Sequence, residues 1–147
     1  MRFTFHPLTL SKLKKLHSEI TNCQICKPHL DHAPRPVFAF GAKSKIVVIG
    51  QAPGSVVHRT GIPWDDKSGD NLRDWMGIDK EVFYDVNQFA IVPMGFCYPR
   101  KEKTGDLPPR KECAPQWHDL IWDTLKDVKL TLLIGKYAQD YYLKKRS

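Results

Sequence analysis

The sequence has no apolar run near the ~20 residues that a membrane span requires. Its first residues, Met1-Arg-Phe-Thr-Phe-His-Pro7, lack the apolar stretch and small-residue cleavage site of a secretory signal. Internal repeats and low-complexity tracts are absent too, so the chain is not a repeat array. Cysteine is scarce, with four in 147 residues. Without a secretory signal the expectation is a cytoplasmic, reducing location, where such thiols serve metal or redox chemistry before disulfides. What remains is ordinary for a globular chain: 41% hydrophobic and 27% charged residues, enough for one core and a single domain over 1–147. The net charge of +7 suits an anionic partner, nucleic acid foremost, although many basic proteins merely stay soluble this way.

One stretch organises the rest. Lys45-Ile-Val-Val-Ile-Gly50 reads as a buried strand that stops abruptly. Its aliphatic residues run without alternation, which suits a parallel strand covered on both faces. Gly50-Gln51-Ala52-Pro53-Gly54 follows as a turn whose glycines permit close backbone approach and whose proline stiffens the path. In an open α/β sheet, ligands bind just past the carboxyl ends of strands. Residues 59–70 then gather carboxylates, Trp64 and two glycines in a segment too broken for regular structure. A small polar ligand is expected here.

Around this stretch the chain alternates helices and strands. Leu10, Leu13, Leu16 and Ile20 predict a helix over 8–21, capped by Thr9 or Ser11. A proline-rich connector follows, then a short strand over 37–40. Ser68 is expected to cap a helix carrying Leu72, Trp75 and Met76 and ending at Gly77. Strands are expected over 88–92 and 130–134. Helices should open at Ala114-Pro115, with Trp117, Leu120, Ile121 and Leu125 on one face, and run over 136–145. This order predicts a three-layer α/β/α sandwich with a mainly parallel central sheet.

Cys23-x-x-Cys26 places two thiols within reach of one metal centre, while Cys97 and Cys113 are separated by fifteen intervening residues. A zinc ribbon favours two tight knuckles, and the second pair is not one. Mixed spacings suit a [4Fe-4S] cluster, whose corners accept ligands from separate loops. A structural zinc site and four unrelated thiols are the competing readings. A cluster would clamp the amino-terminal connector to the loop over 95–115.

Together, Gly50-Gln-Ala-Pro-Gly54, Arg59-Thr-Gly-x-Pro-Trp64, Ser68-Gly-Asp70 and Cys-x2-Cys…Cys-x15-Cys resemble the uracil-DNA glycosylase superfamily. The nearest branches are the iron–sulfur families four and five, and the likeness runs from about Leu10 onward. It implies excision of uracil, or another deaminated base, from DNA by a fold that flips the base into a pocket. Trp64 matches the family's stacking phenylalanine. Asp66, counted from Ser68-Gly69-Asp70, matches the catalytic aspartate of family five. The segment is one residue short, so Asp65 is its rival, and either carboxylate would equally serve a helix amino terminus. Gln51 stands where family four has Glu; it can orient water but cannot act as a general base. Gly50, Ala52, Pro53 and Gly54 would approach the base with their backbone.

The likeness breaks at two places. The uracil-reading Asn of family four falls at Pro93, which has no side-chain hydrogen bond to offer, and Asn87 does not align without a gap. The family's His-Pro-Ser-Pro-like motif should follow another strand after Lys145, yet the sequence stops at Ser147. This implies a truncated member with a bare sheet edge and little turnover. The alternative is a non-catalytic iron–sulfur DNA-binding module, for which Lys101, Lys103, Arg110 and Lys111 would contact phosphates or form a solvated loop.

Overall fold

The computed structural model describes residues 7–103 and 105–144. The first six residues and the expected helix end at Lys145 lie outside these. Along the chain come α1 (Pro7–Thr21), a 3-10 turn (Lys27–His29), β1 (Ile46–Ile49), α2 (Ser55–Thr60), α3 (Lys67–Met76) and α4 (Lys80–Phe83). Then follow β2 (Phe89–Ile91), two-residue strands β3 (Lys101–Glu102) and β4 (Gly105–Asp106), α5 (Cys113–Thr124), β5 (Leu130–Leu133) and α6 (Lys136–Lys144).

β1 is the middle strand of a sheet ordered β2-β1-β5, parallel to both neighbours. Val47 pairs with Ala90 on one side and Thr131 on the other. Side chains alternate between two apolar layers, because successive residues of a strand point to opposite faces. Val47, Ile49, Ala90 and Val92 join Leu16, Ile20, Trp117, Ile121 and Ala138 from α1, α5 and α6. Val48, Phe89 and Ile91 meet Leu72 and Phe83 from α3 and α4. Both faces of β1 are therefore covered, which is why its aliphatic run shows no polar alternation. The chain is an α/β sandwich with a parallel sheet, as the sequence implies.

Several local expectations change. Residues 37–40 make only an isolated antiparallel bridge, Ala39 to Ile91, not a strand. Thr9 and Ser11 lie within α1 rather than capping it. Ser68 lies inside α3; its cap is Asp66, whose Oδ1 accepts the Gly69 N–H at 2.9 Å. Gly77 ends α3 in the left-handed region (φ 68°), as glycine can. Of the apolar residues expected on this helix, Leu72 is buried whereas Trp75 is 81% exposed. α5 begins at Cys113, and it is His118 rather than Leu120 that joins Trp117 and Ile121 in the interior. A polar network tolerates that histidine: His118 Nε2–H donates to the Pro93 carbonyl at 2.9 Å. Tyr142 Oη lies 2.6 Å from His118 Nδ1 and accepts from Trp122 Nε1 at 2.9 Å.

Candidate functional site

A cavity of about 440 Å3 opens past the carboxyl ends of the three parallel strands. Its walls include all five residues of Gly50 to Gly54 after β1, Ile91 and Pro93 at the end of β2, and Ile134 and Gly135 after β5. The size suits a small organic ligand. The β1 loop is held before any ligand arrives. The Gly50 and Gln51 carbonyls accept the Met94 and Gly95 N–H groups at 2.8 and 3.0 Å. Gly50 is also sterically required, since a Cβ there would stand 2.9 Å from Trp64 Cζ2.

Trp64 lines the cavity with its backbone in the left-handed region (φ 57°), a conformation that costs a bulky residue about 1–2 kcal/mol. Surrounding groups enforce it. Tyr84 Oη donates to the Pro63 carbonyl at 2.7 Å and receives Arg73 Nη1–H at 3.2 Å. Arg73 is only 4% exposed; it pairs with Asp70 at 2.9 Å and lies 5.1 Å above the Phe83 ring. Gly69 packs against the Trp64 carbonyl, where any Cβ would collide with the oxygen. Burial raises the Tyr84 pKa and Arg73 opposes the shift, so the phenol stays neutral and able to donate.

The two rival aspartates part company. Asp66 lines the cavity while capping α3, so one carboxylate serves both the helix and the pocket wall. Asp65 is not among the lining residues; its Oδ1 lies 4.0 Å from Lys80 Nζ. Gln51 sits on the loop, exposed, at the rim. Ser68, Asn71, Leu72 and Trp75 all border the cavity, and their i, i+3, i+4, i+7 spacing marks one face of α3. That helical spacing was available in the sequence as a signal for Asn71 and Trp75. Asp106 and Leu107 reach the wall from β4 and just beyond it, placed by tertiary structure with no local sequence signal. Of the proposed phosphate contacts, Arg110 is instead paired with Glu112 at 2.9 Å. Lys101, Lys103 and Lys111 are exposed.

The four cysteines meet elsewhere. Cys23, Cys26, Cys97 and Cys113 line a smaller cavity with Pro34, Pro36, Phe96 and Trp117, and all four are free thiols. Cys26 Sγ contacts Glu112 Oε2 at 3.5 Å. Burial, reinforced by Cys113 and Glu112, pushes the Cys26 pKa up to about 12. Burial likewise lifts Cys97 and Cys113 to about 11. Four convergent sulfurs in an apolar wall are a donor set that fits an iron–sulfur cluster or zinc. Among the described residues, no three His, Cys, Asp or Glu side chains already stand as ligands around one ion. The loop joining Cys97 to Cys113 also supplies Pro99, Asp106 and Leu107 to the larger cavity, so the two sites share a wall.

These features define a class: a parallel α/β protein that holds a ligand beyond the ends of its strands, beside an aromatic ring and a carboxylate. The family model of the uracil DNA glycosylase superfamily matches residues 37–147, and the chain belongs to that superfamily. The match takes in the β1 loop, Trp64, Asp66, Cys97 and Cys113; Cys23 and Cys26 precede it. The superfamily is one of glycosylase-type hydrolases with DNA as substrate. No helix among the described residues is long and apolar enough to cross a membrane.

Proposed function

We propose that this chain binds a uracil or other deaminated base flipped out of DNA and hydrolyses its N-glycosidic bond. The observation that carries this is the convergence of the Gly50–Gly54 loop, Trp64 and Asp66 on one cavity of about 440 Å3. Glycosidic cleavage builds positive charge on the sugar and negative charge on the departing base. The Asp66 carboxylate stabilises the former or orients water, while polar groups of the loop hold the latter. Trp64 supplies the face on which the base stacks, and its enforced backbone keeps that face in place without reorganisation. We assign the carboxylate's role to Asp66 over Asp65 because Asp66 lines the cavity, whereas Asp65 Oδ1 lies 4.0 Å from Lys80 Nζ. Gln51 at the rim orients water at most.

The cysteine cavity would hold a [4Fe-4S] cluster through Cys23, Cys26, Cys97 and Cys113, with zinc as the rival occupant. Bound there, the group supplies a structural clamp between the amino-terminal connector and the loop that walls the pocket. Free thiols of this kind suit a reducing compartment such as the cytoplasm.

A second reading, binding of damaged DNA without turnover, is favoured by one observation. The cavity lining includes no histidine among the described residues, and Pro93 presents no side-chain donor. Both readings meet in one experiment: incubation with single- and double-stranded oligonucleotides carrying one uracil, followed by detection of abasic sites. Turnover that vanishes in Asp66→Asn supports catalysis. Binding without turnover in the parent chain selects the second reading.

A further inference from the structure

Behind the pocket loop, the connector that follows the first cysteine pair packs on α2. Here His32 and His58 lie with ring centroids 4.3 Å apart, tilted by 47°, and Tyr98 stacks on His32 at 5.6 Å with a 7° interplanar angle. We propose that Asp31, His32 and His58 form a metal site, separate from the cysteine cavity, for a borderline divalent cation such as zinc.

The ring nitrogens carry the argument. His32 Nδ1 lies 3.0 Å from the Ala33 carbonyl, which can only accept, so Nδ1 bears the proton and Nε2 a lone pair. That Nε2 is buried and has no hydrogen-bond partner, and the same holds for His58 Nδ1. Buried polar atoms are seldom left unpaired, and two on touching rings mark a common missing partner. A cation bound by both would satisfy them together, since zinc takes neutral imidazole nitrogens at about 2.0–2.1 Å. A ring N–H held by a backbone carbonyl is also the usual support behind a metal-bound histidine.

Asp31 supplies the charge. Its Oδ1 stands 3.8 Å from His32 Nε2 on a side chain 57% exposed, free to swing inward. That movement is required, because as the side chains stand no group of three His, Cys, Asp or Glu among the described residues could hold a metal ion. Arg35, whose charge acts on His58, is held by the backbone: its Nη1 donates to the His58 and Arg59 carbonyls at 2.8 and 2.9 Å. Water would complete the coordination. Imidazole with carboxylate suits zinc, nickel, copper or iron over magnesium or calcium. A cation here would tie the connector to α2, one turn from the Gly50–Gly54 loop.

The test is titration of the full chain, its cysteine site occupied as isolated, with Co2+ and then Zn2+. The expected result is one additional equivalent of Co2+ without a sulfur charge-transfer band, displaced by zinc. His32→Gln and His58→Gln should each weaken it by at least about tenfold, with iron, sulfide and cysteine-bound metal unchanged. Asp31→Asn, at an exposed position, should weaken binding less and abolish part of the zinc-induced rise in Tm; it keeps the test open should a histidine variant fold poorly. No additional equivalent in the parent chain would overturn the site and leave a bridging water as the missing partner. An equivalent retained in all three variants would overturn it as well.

Discussion

The two cavities on either side of the loop over 98–112 are built on opposite principles. The larger is finished by the protein alone: Arg73, Tyr84, Gly69 and Gly50 fix Trp64, and backbone hydrogen bonds fix the β1 loop. The smaller gathers four thiols in an apolar wall, where burial holds Cys26, Cys97 and Cys113 protonated and the Arg110–Glu112 pair engages Cys26. A ligand entering the first finds its contacts preset. A metal entering the second must displace protons and then becomes part of the folding free energy. The pocket's geometry is thus a packing property, whereas on the proposed reading of the cysteine cavity the connector and the loop after Cys97 would gain their anchor from an occupant.

That contrast can be broken, starting with the largest effect. Cys113→Ser should abolish stoichiometric iron and sulfide binding and lower Tm more than any substitution around the pocket. Metal analysis with a thermal melt checks both. Arg73→Ala should destabilise by about 1.5–3 kcal/mol, because it removes the charged hydrogen bond that supports Tyr84 and the packing over Phe83, while its mostly exposed partner Asp70 stays solvated. A denaturant titration reads this, and metal content should stay unchanged if the two sites are independently built. Gly50→Ala should cost about 1–3 kcal/mol by forcing Trp64 off the loop, with base binding lost beyond the loss of stability. Trp75→Ala should alter stability by less than about 0.5 kcal/mol, since the ring is 81% exposed. In a fluorescence titration it should nevertheless weaken single-stranded DNA binding by about tenfold with an unchanged salt slope, the mark of stacking rather than phosphate contact.

How much the sequence discloses follows the same division. β1 and its loop are legible because buried parallel strands and glycine-proline turns have local causes. The convergence of the cysteines is legible from their chemistry. Short elements escape: α2 and α4 hold six and four residues, too few for a periodic signal, and their helicity comes from docking on the sheet. The β3–β4 hairpin escapes for the same reason. Trp75 is exposed although apolar, because its position on α3 belongs to the face that borders the cavity. Ser68 misleads because Ser and Asp both cap helices, and only the Gly69 N–H to Asp66 bond decides between them. Arg73 is the deepest miss. Nothing local says that a charged residue between Leu72 and Asp74 will be buried as the prop of Tyr84.

The central claim is that the Asp66 carboxylate at the cavity wall carries the chemistry. The most direct measurement is single-turnover uracil release by the parent chain, Asp66→Asn and Asp65→Asn on one uracil-containing oligonucleotide. Asn is also a good helix cap, so Asp66→Asn should fold normally and bind the oligonucleotide, yet lose at least about 10²-fold in rate, with Asp65→Asn near the parent. Equal rates for Asp66→Asn and the parent, or a larger loss in Asp65→Asn, would contradict it.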